Sequence, residues 1–198
     1  GKSYQSRKLY ESIKKKNISV ILTREPGGTR GAEKIREIIL KDYFHAGTKE
    51  QFNKYTDTLL YLAARNEHIE NKIKPAISKK KIIICDRFID STLAYQVYGK
   101  GVNKSLVDLV HRYILRSIKP DLTFILKVNI TKALQRLKKR KTRNRYDKFT
   151  RNFYTKVQNA FIKIAKKNKK RYFILDNSQD SKEPEKIILT KFIKTLSK

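Results

Sequence analysis

Four short runs rich in apolar and β-branched residues, at 18–23, 82–85, 122–128 and 172–175, alternate with longer stretches whose apolar residues recur at helical spacing. This pattern limits the fold more than anything else in the chain. Short apolar runs without polar alternation suit strands buried on both faces, and strands separated by helices suit a parallel sheet covered on both sides. Helices are predicted over 4–16, with Leu9 and Ile13 on one face, and over 31–44, with Ile35, Ile38 and Ile39 at helix spacing. A long helix is predicted over 51–73, stopping near Pro75, then helical turns as far as Ile118 and helices over 131–140, 150–167 and 183–196. The expected class is α/β, a single domain over residues 1–198 with a short basic lid at about 139–150.

Composition narrows the class further. Apolar residues make up 39% of the chain, enough for a sizeable core. The lone cysteine, Cys85, excludes a disulfide scaffold or a cysteine-based zinc site and is expected in the core. No apolar run approaches the ~20 residues of a membrane span, so the expected setting is cytoplasmic, with no membrane partner. Lys and Arg number 48 against 18 Asp and Glu, a net charge of +30. That field draws polyanions, including nucleic acid, without selecting among them. The aromatic residues follow core periodicities instead of interleaving with the basic runs, unlike a base-stacking platform. His45, His68 and His111 show no metal spacing and are expected at the surface or in caps.

In open parallel sheets, ligands bind beyond the carboxyl ends of the strands, where four clusters fall. Gly1-Lys2-Ser3 matches the closing positions of a phosphate-binding loop, G-x-x-x-x-G-K-[ST]. Its strand and first five residues would lie before Gly1, giving a fifth strand, and a chain without them is expected to be poorly stable and nearly inactive. Lys2 would carry charge to the β- and γ-phosphates, and the Ser3 hydroxyl would ligate Mg²⁺. Arg24-Glu25-Pro26-Gly27-Gly28-Thr29 follows the first run. There Arg24 would meet a phosphate, Glu25 would serve around a metal, and Arg36 would face the same loop. Tyr61 and Arg65, four apart on the long helix, suit a flat polar ring.

The fourth cluster, Asp86-Arg87-Phe88-Ile89-Asp90-Ser91-Thr92 with Tyr95-Gln96, follows the second run. A carboxylate at a strand end needs a cation or donors, so Asp86 is expected to face Mg²⁺ or its waters and Arg87 a phosphate. Ser91 reads as a helix N-cap at the rim of the site, with Tyr95 and Gln96 pointing back to the cleft. In the basic connection, Arg140, Arg143 and Arg145 are placed to close over charge developed in phosphoryl transfer, an effect worth ~10³-fold or more in rate.

Gly-Lys-Ser, Thr-Arg-Glu-Pro-Gly-Gly-Thr, Leu-Leu-Tyr-Leu-Ala-Ala-Arg and Asp-Arg-Phe-Ile-Asp-Ser-Thr-Leu-Ala-Tyr-Gln, in this order, resemble the bacterial thymidylate kinases; Pro120-Asp121-Leu122-Thr123 and Asn144-Arg145-Tyr146-Asp147 fit the same family. The resemblance implies a P-loop kinase fold of three layers, with ATP and thymidine monophosphate as substrates, Mg²⁺ as cofactor, and a homodimer. It implies that Lys2, Asp86 and Arg145 are catalytic, and that Gly1, Lys2, Ser3, Arg140 and Arg143 hold ATP. Arg36 and Arg87 would anchor the acceptor phosphate, with Arg24, Glu25 and Ser91 beside it. Tyr61 would stack on thymine, Arg65 and Gln96 would bond its exocyclic oxygen, and Tyr95 would lie beneath the deoxyribose. Ser3, Asp86 and Glu25 would serve the metal. The chain departs from the family at Tyr61, usually Phe, at Phe88, commonly Tyr, and at Asn144, often Asp. A P-loop kinase for another nucleotide and a basic nucleic-acid-binding protein are the alternative readings.

Overall fold

The computed structural model describes residues 1–41, 51–138, 146, 149–179 and 181–196. The chain opens with helix α1 (Lys2–Lys14), strand β1 (Val20–Arg24) and helix α2 (Arg30–Leu40). Helix α3 (Lys54–His68) runs through a π-helical turn (Ile69–Ile73) into α4 (Lys74–Ser78), then β2 (Ile82–Asp86). After it come α5 (Ile89–Thr92), a second π-helical turn (Leu93–Gly99), α6 (Lys104–Leu115), β3 (Thr123–Lys127), α7 (Ile130–Lys138), α8 (Arg151–Lys166), β4 (Tyr172–Asp176) and α9 (Glu183–Leu196). Every predicted strand and helix among the described residues is present, with boundaries moved by a few residues.

The caps explain several of those boundaries. The Thr29 side chain accepts from Ala32 N at 3.3 Å and starts α2, and Asn53 accepts from Tyr55 N at 2.9 Å and starts α3. Asn103 and Thr150 do the same for α6 and α8, each satisfying an N–H that has no partner within its helix. The expected stop at Pro75 does not occur. Pro75 lies in the first turn of α4, directly after the π-helical turn Ile69–Ile73, and the helical path continues through it to Ser78.

The strands pair in parallel as β1 with β2, in the register Val20↔Ile82 to Arg24↔Asp86, and as β3 with β4, from Thr123↔Tyr172 to Lys127↔Asp176. One continuous sheet was the expectation; the described residues form two pairs. An apolar run reports that a strand is buried and says nothing about its neighbours. Both pairs nevertheless share one core. Leu9 and Ile13 of α1, Ile84 of β2, Leu175 of β4 and Ile188 of α9 form a single cluster, flanked by Val20, Leu22, Phe124 and Phe173. Each such side chain contributes roughly 1.5–3 kcal/mol by leaving water. Ile39 of α2 is fully buried as expected, whereas its neighbour Ile38 is 39% exposed.

The register matters for the site because it sets Arg24 opposite Asp86. The chain leaving β1 therefore meets the chain leaving β2, joined by Glu25 N to Asp86 O at 3.1 Å.

Candidate active site

A cavity of about 470 Å³ opens where those strand ends meet the start of α1. Gly1, Lys2, Ser3, Arg24, Glu25, Arg36, Tyr61, Arg65, Asp86, Arg87, Ser91 and Tyr95 all line it. These are the predicted site residues within the described part of the chain, with the exception of Gln96. Arg140, Arg143 and Arg145 lie outside the described residues.

At one end, the Ser3 hydroxyl donates to Asp86 Oδ2 at 2.5 Å. Oδ1 of the same carboxylate is buried and has no hydrogen-bond partner among the described residues. An orphaned carboxylate oxygen carries a desolvation penalty that a cation would relieve. Among the described residues no three His, Cys, Asp or Glu side chains gather around a common point. The pair therefore fits Mg²⁺, which takes one or two protein oxygens and completes its shell with phosphate and water. Gly1 packs so closely on the Asn177 side chain that a Cβ there would lie 2.3 Å from Asn177 Nδ2. Asn177 also lines the cavity and was not singled out in the sequence.

Besides Arg65, three arginines line the cavity. Arg87 directly follows β2 with φ +71°, a backbone region costly for a residue with a side chain. Its guanidinium lies 5.0 Å from the Tyr95 ring centroid, and its Nη2 donates to Tyr95 Oη at 3.4 Å. Arg36 Nη1 donates to Pro26 O at 2.7 Å, tying α2 to the glycine loop. Arg24 forks onto Glu33, whose Oε1 also accepts from Gly28 N at 2.9 Å. Hydrogen bonds from Arg24 and Gly28 hold the Glu33 carboxyl below its usual range against the opposing effect of burial. Glu33 thus organises the loop and was missed because a single Glu in a helix carries no motif.

Gly28 shows why the loop needs glycine. Its φ is +92°, and a Cβ would meet Thr23 Oγ1 at 2.5 Å and His68 Cδ2 at 2.7 Å. Gly28→Ala is expected to lower stability by roughly 1–3 kcal/mol, read as a lower urea midpoint at unchanged slope.

Glu25 corrects one expectation. Its carboxylate does not pair with Ser3 and Asp86; it is 4% exposed and holds Arg65 and His68. Arg65 Nε donates to Glu25 Oε2 at 2.8 Å, Nη2 lies 2.8 Å from the same oxygen, and His68 Nδ1 is 3.0 Å from Oε1. A carboxylate this deep is stable only beside a cation and donors, which the facing helix α3 supplies. His68 and His111 are likewise buried rather than superficial. His68 Nε2 reaches Thr23 Oγ1 at 2.7 Å, and His111 Nε2 reaches Arg65 Nη1 at 2.7 Å. His45 lies outside the described residues.

The aromatic wall is formed by Tyr61, Tyr95 and Tyr146. Tyr61 meets Tyr146 edge-on at 5.9 Å between centroids, and Tyr95 meets it at 6.4 Å. Burial pushes the Tyr61 hydroxyl up to about 12, and Tyr146 is its hydrogen-bond partner. The Tyr146 hydroxyl also bonds Asp57 Oδ2 and receives Lys100 Nζ at 3.2 Å. Gln96 is the second correction. Within the π-helical turn Tyr95 lines the cavity, while Gln96 is 1% exposed and donates to Tyr146 Oη at 3.5 Å. Ser91 is the third: it sits inside α5, which begins without a side-chain cap, although it does line the cavity. Cys85 is half-buried at the end of β2, its thiol donating to Arg87 O at 3.0 Å, and burial pushes that thiol up.

A lysine and a serine at a helix start, a carboxylate at a strand end and three arginines across the same cavity define a phosphotransferase that binds two phosphorylated ligands. The α/β architecture and the loop after β1 place it among the nucleoside monophosphate kinases. A family model for thymidylate kinase matches residues 1–188. Thymidylate kinase of Mycoplasma capricolum is 37% identical over 182 residues, covering 91% of this chain and 83% of that protein. That of Sulfurihydrogenibium sp. is 36% identical over 189 residues, covering 96% and 89%. The crystal structure of thymidylate kinase from Ehrlichia chaffeensis superposes with a TM-score of 0.73 at 33% identity, covering 99% of this chain and 92% of that one. The chain belongs to the thymidylate kinase family.

Proposed function

We propose that this enzyme transfers the γ-phosphoryl group of ATP to thymidine monophosphate, giving the diphosphate as a step toward dTTP. The observation that supports this most is the meeting in one cavity of the Ser3–Asp86 pair with Arg36, Arg87, Tyr61 and Arg65. Lys2 and the start of α1 hold the donor phosphates, where the helix N-terminus favours anions. Ser3 and Asp86 would hold Mg²⁺, which would supply positive charge against the phosphoryl oxygens. Arg87 and Arg36 fix the acceptor phosphate, with Arg24 at the rim. Tyr61 offers its ring to the base, Arg65 an N–H to an exocyclic oxygen, and Tyr95 its face to the sugar. Little covalent chemistry falls to the protein, so alignment and charge neutralisation carry the rate. Arg145, with Arg140 or Arg143, belongs to this reading as the cation closing over the transferring group. A homodimer and a cytoplasmic location also belong to it and are supported by the family resemblance.

Melting of the chain with excess thymidine monophosphate, against cytidine monophosphate as control, tests the acceptor assignment. A ligand at ~100 times its Kd adds ~2.7 kcal/mol of stability, so a rise confined to the thymidine nucleotide is expected. Equal shifts with both nucleotides, or a cooperative melt with neither, would sink it.

A further inference from the structure

Arg65 reaches the cavity as a long, flexible side chain on α3, yet it is only 2% exposed and held by groups from three other elements. Glu25, after β1, takes Nε and faces Nη2. Nη1 has two N–H groups, and both are matched, by Thr92 Oγ1 of α5 at 2.9 Å and by His111 Nε2 of α6 at 2.7 Å. That leaves Nη2, with one N–H beyond its contact with Glu25, as the edge of the guanidinium available to a ligand. Arginine has only donors, so the His111 contact requires a neutral imidazole with its proton on Nδ1. Burial, and then the charge of Arg65 itself, push His111 down to about 3, which keeps Nε2 an acceptor throughout the working range. Asp108 and Lys104, the other charged groups acting on the ring, oppose one another.

We propose that His111 is a positioning residue for thymidine monophosphate recognition, acting through Arg65 by accepting from Nη1 and turning Nη2 toward the base. The proposal rests on the reading of Arg65 as the group that bonds the base. Glu25 neutralises the guanidinium, and His111 and Thr92 orient it, so Arg65 serves as an aimed hydrogen-bond donor for a neutral carbonyl. Without an acceptor at position 111, one Nη1–H is left buried and unpaired, and the side chain gains other rotamers at the expense of the aimed one.

Calorimetric titration with thymidine monophosphate and, separately, with ATP on His111→Leu and His111→Gln provides the test. His111→Leu is expected to weaken thymidine monophosphate about tenfold and leave ATP within twofold. His111→Gln, whose amide oxygen still accepts, is expected to recover most of that loss. Should His111→Leu fail to melt cooperatively, His111→Gln decides alone, with binding within threefold of wild type supporting the role and a tenfold loss overturning it. Equal losses for both nucleotides, or full binding by His111→Leu, would overturn it as well. Wild-type chain that fails to bind thymidine monophosphate would instead overturn the acceptor assignment, and this inference with it.

Discussion

Asp86→Asn is expected to lower kcat by ~10³-fold or more while leaving the melting temperature unchanged or higher. The two effects separate because the carboxylate serves the reaction at the expense of the fold. Among the described residues, Oδ1 is buried without a hydrogen-bond partner and Oδ2 accepts only from the Ser3 hydroxyl. An amide at this position removes a carboxylate with an orphaned buried oxygen, which favours folding. In the proposed reaction it would also remove a negative ligand from the cation that Ser3 and Asp86 would hold, an effect worth several kcal/mol in the transition state. Turnover rate and a thermal melt on the same sample check both halves. A variant that loses stability together with activity would show that Asp86 is a structural carboxylate, and activity within tenfold of wild type would remove it from the metal site.

Arg65→Met is expected to destabilise the fold by about 3–5 kcal/mol and to abolish selective thymidine monophosphate binding. The stability loss comes less from the missing arginine than from the Glu25 carboxylate left behind, 4% exposed and facing only His68. His111 and Thr92 lose their donor in the same step. Glu25→Leu combined with Arg65→Met is therefore expected to recover much of the stability and none of the binding, since the paired charges leave together. Urea unfolding gives the first quantity and calorimetry the second. A loss below 1 kcal/mol for Arg65→Met alone would mean that Glu25 readily takes up a proton or reaches solvent, contrary to its depth in the structure.

Sequence patterning sufficed for the order of elements and most of the cavity lining, because these depend on local rules. An apolar run buries, and residues just past a parallel strand stand at the ligand end of the sheet. Lys2, Ser3, Arg24, Asp86 and Arg87 were legible in this way, and Tyr61 with Arg65 through helical spacing. Other features depend on which distant residues meet. Glu25 looked like a metal carboxylate until α3 brought Arg65 and His68 against it. His111, 46 positions from Arg65, has no pattern of its own, and its neutral state holds down to low pH because the fold buries it beside a cation. Gln96 and Tyr95 are adjacent in sequence, and only the packing of the π-helical turn sends one into the interior and the other to the cavity. The chain by itself thus determined where phosphate and base chemistry lies, since those residues sit at strand ends and on one helix face. Tertiary structure alone decided which charges face the ligand and which cancel one another, because a buried charge takes its role from its nearest partner in space.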